Sequence, residues 1–119
     1  MNFQAVLFDC DGVLVDSEPI VNRVLFGMLQ DLGWTTTPLT REAVEHFFTG
    51  HTIRDVMLAW ARESGNHLPD DWMDRFLAQR NAALLAELEA IPGIHGAVAA
   101  LHATLQGRIA CASGADRFK

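Results

Sequence analysis

No stretch of the 119 residues is apolar for the ~20 positions that a membrane-crossing helix needs, so the sequence offers no membrane helix. Basic residues are few: nine Lys and Arg stand against fifteen Asp and Glu, for a net charge of −6. They form no cluster, which argues against a surface that tracks a nucleic-acid backbone. An acidic chain would also repel a phosphorylated ligand unless a divalent cation or a local basic group intervened. Cysteine is scarce, with Cys10 and Cys111 alone and no CxxC or Cys/His spacing, so neither a zinc site nor a disulfide framework is indicated. Both cysteines fall in apolar runs read as buried strands, where Cys serves as a small apolar residue. There is no low-complexity tract and no internal repeat, which leaves an ordinary globular composition, half hydrophobic and one-fifth charged. The start, Met1-Asn2-Phe3-Gln4, lacks the basic residues of a signal peptide. The expected location is the cytoplasm.

What is present begins with a strand. Residues 3–9 form a near-continuous apolar run without polar alternation, the pattern of a strand covered on both faces in a parallel sheet. A helix follows, with Pro19 in its first turn, Ile20, Val21, Val24, Leu25, Met28, Leu29 and Leu32 at helical spacing, and Gly33 as its stop. After the break at 35–38 a short helix is expected over about 41–48. Thr52 with Asp55 resembles a capping box that opens a helix burying Ile53, Val56, Met57 and Trp60 and ending near Gly65. Pro69-Asp70-Asp71 opens the longest helix, whose stripe of Met73, Phe76, Leu77, Leu84 and Leu88 runs to the stop at Ile91-Pro92-Gly93. An Ala-rich helix from Gly96 to Leu105 precedes a second strand, Arg108–Ala112, that ends at Ser113-Gly114. A strand, a crossover and a parallel strand make the unit of an α/β sheet. The helices of 17–90 exceed what a crossover needs and read as an inserted helical domain, leaving 1–16 and 91–119 as the sheet-bearing part.

Chemistry concentrates at the end of the first strand, in Phe8-Asp9-Cys10-Asp11-Gly12-Val13-Leu14-Val15-Asp16-Ser17-Glu18. Residues two apart on an extended segment point the same way, so Asp9 and Asp11 can face one pocket. One carboxylate can attack phosphorus to form an aspartyl phosphate. A second can protonate the leaving alcohol and later deprotonate the attacking water. Carboxylates this close repel one another, and Mg²⁺ relieves that, being held typically by one or two carboxylates plus phosphate oxygens. Gly12 lets the backbone approach a phosphoryl oxygen. The turn at Ser113 would lie at the carboxyl end of a neighbouring parallel strand, where open α/β sheets place their ligands.

This eleven-residue string, with the Ser113 turn after a helical block, closely resembles the haloacid dehalogenase-like hydrolase superfamily. The likeness is to its helical-capped phosphatase and β-phosphoglucomutase-like branch. The resemblance implies an α/β, Rossmannoid parallel-sheet core, of which only the N-terminal part is present, with an inserted α-helical bundle cap. It implies that Asp9 is the nucleophile and a Mg²⁺ ligand. Asp11 would be the acid/base, with its backbone carbonyl also on the metal. Ser113 and the Gly114 N–H would hold a transferring phosphoryl oxygen. The second aspartate favours phosphate esters over haloacids as substrates. Members also need a later lysine and an acidic pair for the metal. Those normally lie past the point reached at Lys119, so the resemblance implies the N-terminal half of an enzyme, itself incomplete as a catalyst.

Other candidates carry two readings each. Asp16, Ser17 and Glu18 suit helix N-capping, with Ser17 or Asp16 as the cap and Glu18 favoured by the helix dipole; in the family the stretch is also a hinge, and Glu18 can touch substrate. Arg54 can grip a phosphate or carboxylate in a bidentate fork, or pair with nearby acids on a solvated helix face. His51, beside Gly50, can face substrate. His46, His67, His95 and His102 share no ligand spacing, and the aromatic set Trp34, Trp60, Trp72, Phe47, Phe48 and Phe76 suits a helical core. The function expected is Mg²⁺-dependent hydrolysis of a small phosphorylated metabolite, a sugar phosphate or sugar-acid phosphate, with no nucleic-acid or membrane partner and the remaining half of the core as a possible partner. The alternatives are a sugar phosphomutase of the same superfamily and a non-catalytic helical module.

Overall fold

The computed structural model describes residues 3–33 and 52–114. The expected short helix at 41–48, with Trp34, His46, Phe47, Phe48, His51 and Lys119, lies outside the described residues. The elements run β1 (Val6–Phe8), α1 (Glu18–Asp31), α2 (Ile53–Ser64), α3 (Trp72–Glu87), α4 (Ile94–Thr104) and β2 (Ile109–Cys111). The two strands are parallel, with Val6 opposite Ile109, Leu7 opposite Ala110 and Phe8 opposite Cys111. The Val6 N–H donating to the Arg108 carbonyl (3.1 Å) and the Ala112 N–H donating to the Phe8 carbonyl (2.8 Å) extend the ladder at both ends. A small parallel sheet joined through helices is the α/β arrangement anticipated.

Local signals set the helix ends. Thr52 Oγ1 accepts from the Asp55 N–H at 3.2 Å, fixing the first turn of α2. Gly33, Gly65 and Gly93 all take positive φ, the left-handed backbone that ends or precedes a helix at little steric penalty. The core is helical: Leu25, Met28 and Leu29 of α1 pack with Met57 of α2 and Trp72 and Phe76 of α3. The rings of Trp72 and Phe76 stack one turn apart, centroids 5.7 Å apart and planes within 3°. On the outside, the Arg23 guanidinium of α1 meets both oxygens of Glu87 on α3 at 2.7 Å.

Three expectations are corrected. β1 is not covered on both faces among the described residues, for Leu7 is 67% exposed while Val6 and Phe8 are half-buried. Strand side chains alternate between faces, and here one face is left open. Cys111, opposite Phe8, is exposed and Cys10 only half-buried, not in the buried strands expected for them. On α3, Leu88 is exposed while the unanticipated Arg80 is buried at 7% exposure, its Nε and Nη2 donating to Asn81 Oδ1. Leu88 lies past the last turn, where the backbone has already left helical angles.

The chain enters and leaves the helices along one antiparallel contact. The Asp16 N–H donates to the Glu89 carbonyl at 2.9 Å and the Ile91 N–H donates to the Leu14 carbonyl at 3.0 Å, flanking a bridge between Val15 and Ala90.

Candidate active site

β1 delivers Asp9 at its carboxyl end, where the chain bends sharply. Three successive amides, of Val13, Leu14 and Val15, donate to the Cys10 carbonyl at 3.3, 2.9 and 3.2 Å, and the Gly12 N–H donates to the Val15 carbonyl at 2.8 Å. Residues 10–15 are thereby wound into one closed turn. Gly12 sits in it at φ +72°, with no heavy atom within 4 Å of where a Cβ would be. Glycine is therefore required by conformation and not by crowding.

Asp9 is exposed, with one oxygen, Oδ1, accepting from the Cys10 N–H at 2.7 Å. Asp11 is half-buried, and its Oδ1 accepts a 2.6 Å hydrogen bond from Ser17 Oγ. Ser17 is 2% exposed. It occupies the N-cap position of α1 but makes no side-chain cap bond, which corrects the expected capping role for its hydroxyl. Donation to the carboxylate uses the hydroxyl proton and leaves the lone pairs free, so it does not itself preclude capping; Thr52 makes both kinds of bond at once. The hydroxyl thus ties the first turn of α1 to the acidic turn.

The remaining predicted positions are spread unevenly. Ser113 and Gly114 follow β2 directly, exposed, beyond the Ala112-to-Phe8 hydrogen bond that lays the two strand ends side by side. Glu18 is the exposed first residue of α1. Arg54 lies in the first turn of α2, lining a cleft of about 310 Å³ with Met57, Leu58, His67, Asp70 and Met73. None of Asp9, Asp11 and Ser113 lines that cleft. The fold therefore gathers the Asp9, Asp11 and Gly12 turn with the Ser113 turn at one edge, and Arg54 belongs to a separate hollow.

Two features escaped the sequence. One is the Ser17 contact with Asp11, six residues back, for which the sequence carried no signal. The other is the pairing of Cys111 with Phe8, two residues before Cys10, which depends on strand register. The Cys10 thiol is held above its ordinary pKa by burial first and then by the Cys111 sulfur, with Asp11 and Asp9 adding to it, the direction that negative neighbours dictate.

A divalent cation fits what is here only as a partial site. Among the described residues no group of three or more His, Cys, Asp and Glu converges. Asp9 and Asp11 supply hard oxygen donors, and Mg²⁺ is usually held by one or two carboxylates with substrate phosphate oxygens completing its shell. Carboxylate and carbonyl oxygens are donors that suit a hard divalent cation such as Mg²⁺, Ca²⁺ or Mn²⁺.

A parallel β-strand ending in an Asp-x-Asp-Gly turn, beside a second strand ending in Ser-Gly, defines a haloacid dehalogenase-like core. The chain belongs to the haloacid dehalogenase-like hydrolase family, whose description it matches over residues 3–119. It is 35% identical over 103 residues to the 6-phosphogluconate phosphatase of Escherichia coli K12, covering 86% of this chain and 45% of that protein. Among solved structures it is similar to a haloacid dehalogenase family hydrolase from Deinococcus radiodurans R1 with bound phosphate and sodium, with TM-score 0.70, 32% identity, and 97% and 48% of the two chains covered. A haloacid dehalogenase-like protein from Agrobacterium tumefaciens C58 superposes with TM-score 0.78 at 26% identity, over 98% and 49%. The chain thus spans about half the length of the relatives it matches. No helix among the described residues is long and apolar enough to cross a membrane.

Proposed function

We propose that the protein is a phosphomonoester hydrolase acting on a small phosphorylated metabolite, a sugar phosphate or sugar-acid phosphate such as 6-phosphogluconate. The observation that carries this is the Asp9–Gly12 turn at the carboxyl end of β1, set beside the Ser113-Gly114 turn of the parallel β2. The named activity of the Escherichia coli relative supports the substrate class.

In this reading Asp9 is the nucleophile. One of its oxygens forms a bond to phosphorus as the bond to the leaving alkoxide breaks, giving an aspartyl phosphate. Asp11 delivers a proton to that alkoxide, then takes one from the water that attacks the phosphoryl group, releasing inorganic phosphate and restoring Asp9. Ser17, donating to one Asp11 oxygen, fixes the orientation of that carboxyl group. The Ser113 hydroxyl and Gly114 N–H hold a phosphoryl oxygen. Mg²⁺ would be held by the Asp9 carboxylate and the Asp11 carbonyl, and would neutralise charge shared between carboxylates and phosphate.

The same proposal divides the chain. Residues 17–90 form a helical cap, and 1–16 with 91–119 form the core part. The paired hydrogen bonds between Leu14–Asp16 and Glu89–Ile91 fall at that division, and the buried helical cluster lies wholly on the cap side of it. Glu18, His51 and Arg54 are then cap residues available to read the rest of the substrate.

The experiment is release of phosphate from 6-phosphogluconate, other sugar phosphates and p-nitrophenyl phosphate, with and without magnesium. Magnesium-dependent release that disappears in Asp9→Asn is expected. Release that survives Asp9→Asn, or none from any ester when the remaining half of the core is supplied, overturns the reading. Conversion of a sugar phosphate into its isomer when a bisphosphate is supplied would move the assignment to a mutase.

A further inference from the structure

Arg54 is placed where helix electrostatics disfavour it. It lies in the first turn of α2, whose partial positive charge favours acids such as the neighbouring Asp55, while Arg62 stands in the last turn, where a cation is favoured. Arg23, Arg75, Arg80 and Arg108 all have partners, on Glu87, Asp71, Asn81 and the Leu105 carbonyl respectively. Arg54 has neither a hydrogen bond nor an ion pair among the described residues. A residue set against its local preference, with no compensating contact, is the mark of a functional position.

What Arg54 does have is the cleft of about 310 Å³ between α2 and the segment that leads into α3. The lining is largely apolar: Met57 is fully buried, Leu68 and Met73 are half-buried, and Leu58 is 49% exposed. Apolar surface facing water is unfavourable, and an apolar occupant removes it. The other polar lining groups are engaged. His67 Nε2 lies 3.6 Å from Asp70 Oδ1, and Asn66 has a contact of its own. Arg54 is thus the uncommitted charge of an otherwise apolar hollow. At ~30 Å³ for the share of one water in the liquid, the space suits about ten non-hydrogen atoms.

We propose that this cleft binds a small monocarboxylate with an apolar body, its carboxylate in the Arg54 fork and its body against Met57, Leu58 and Met73. A guanidinium takes a carboxylate through two parallel hydrogen bonds. Thioether side chains adapt their shape to an aromatic or branched body. A sugar phosphate suits the cleft less. Its doubly charged group needs a second cation, the carboxylate of Asp70 in the same lining repels it, and its hydroxyls would be buried against apolar walls without partners. Arg54 then serves a ligand other than the ester held at Asp9, and the site does not depend on which ester that is.

The test is to titrate the purified chain, labelled with ¹³C at its methionine methyls, with 3-phenylpropanoate and follow the resonances of Met57 and Met73. Both should move together and saturate, with a dissociation constant of about 1 mM or below. Arg54→Gln, a change at an exposed residue outside the core, should weaken binding about tenfold. The uncharged 3-phenylpropanamide, which keeps the shape and lacks the charge, should bind the unaltered protein more weakly by about the same factor. Added 6-phosphogluconate should leave the shifts in place. No saturable movement by about 10 mM, or equal affinity for the carboxylate and the amide, overturns the proposal. Displacement of 3-phenylpropanoate by 6-phosphogluconate at lower concentration returns Arg54 to the substrate and overturns it too.

Discussion

Replacing Ser17 with alanine tests whether the hydroxyl serves Asp11 or serves the helix. The structure places Ser17 Oγ 2.6 Å from Asp11 Oδ1, with Ser17 2% exposed and no side-chain bond to the helix N-terminus. A hydrogen bond to an ionised group contributes roughly 1.5–3 kcal/mol. No cap bond is lost, because none is made. With a urea slope of about 1–3 kcal/mol per molar, Ser17→Ala should lower the unfolding midpoint by roughly 1 M. A capping serine would also be missed, by ~1 kcal/mol, so the single variant does not decide between them. The double-mutant cycle does. In an Asp11→Ala background the hydroxyl has lost its acceptor, and Ser17→Ala should then change stability by under about 0.5 kcal/mol, leaving a coupling of roughly 1.5–3 kcal/mol. A cap role would give the same loss in both backgrounds. Equilibrium urea unfolding followed by tryptophan fluorescence measures all four proteins. Equal losses with and without Asp11, or a loss under about 0.5 kcal/mol in the parent, would refute the assignment.

Three further outcomes follow from the same structure. Trp72 is buried, and its Nε1 has no hydrogen-bond partner among the described residues; Trp72→Phe removes that orphan donor (~1–3 kcal/mol) while opening ~40 Å³ at ~24 cal/mol per Å³, or about 1 kcal/mol. Thermal melts should place Trp72→Phe within about 1 kcal/mol of the parent and Phe76→Ala ~3–5 kcal/mol below it; similar losses in the two would contradict the orphan. Gly12→Ala, at φ +72° with open space around it, should lose ~1–2 kcal/mol from backbone conformation alone, and Gly12→Asn less, since Asn visits that region more readily; equal urea midpoints for the two would count against this. The Arg23 hydrogen bond, more than its charge, lowers the pKa of Glu87 below the usual carboxylate value. A depressed carboxyl pKa gives stability present above the unfolded value and lost as pH falls through the folded one. Glu87→Gln should therefore lower the urea midpoint slightly at pH 7 and not at pH 3, with salt shrinking the difference; an effect that persists at pH 3 would point to packing instead.

What could be read from the sequence was what neighbours in the chain decide. Thr52 caps α2 because its hydroxyl reaches the Asp55 amide three residues on. Gly33 and Gly65 end helices because only glycine takes their φ without strain. The apolar spacing of α1 identified Leu25, Met28 and Leu29, which are buried. The Asp9–Gly12 turn was legible as chemistry because an acidic pair at a strand end has few structural uses. Burial was less legible wherever it depends on what covers a face. Leu7 reads as core and is open, and Leu88 continues a stripe whose helix has already ended. Arg80 reads as surface and is buried, which becomes visible only when α3 is placed against its neighbours.

Ser17 and the cysteines were misread for a different reason. A serine before a proline-started helix has a local partner within reach, the helix amides, and sequence reasoning assigns it there. The helix amides are donors, and what the fold adds is an acceptor for the hydroxyl proton: the closed turn of residues 10–15 returns the chain so that Ser17 meets Asp11, six residues back. The cysteines have no local partner at all, and were assigned to packing by default. The place of Cys111 is set by its pairing with Phe8, and a shift of β2 by one residue would turn it to the opposite face of the sheet. The same register brings the Ser113 turn beside the turn that carries Asp9. Ala112→Pro, which removes the N–H bound to the Phe8 carbonyl, should therefore weaken the hold of β2 on β1 and abolish phosphate release, whereas Cys111→Ser, which keeps every backbone bond of the pairing, should leave release intact.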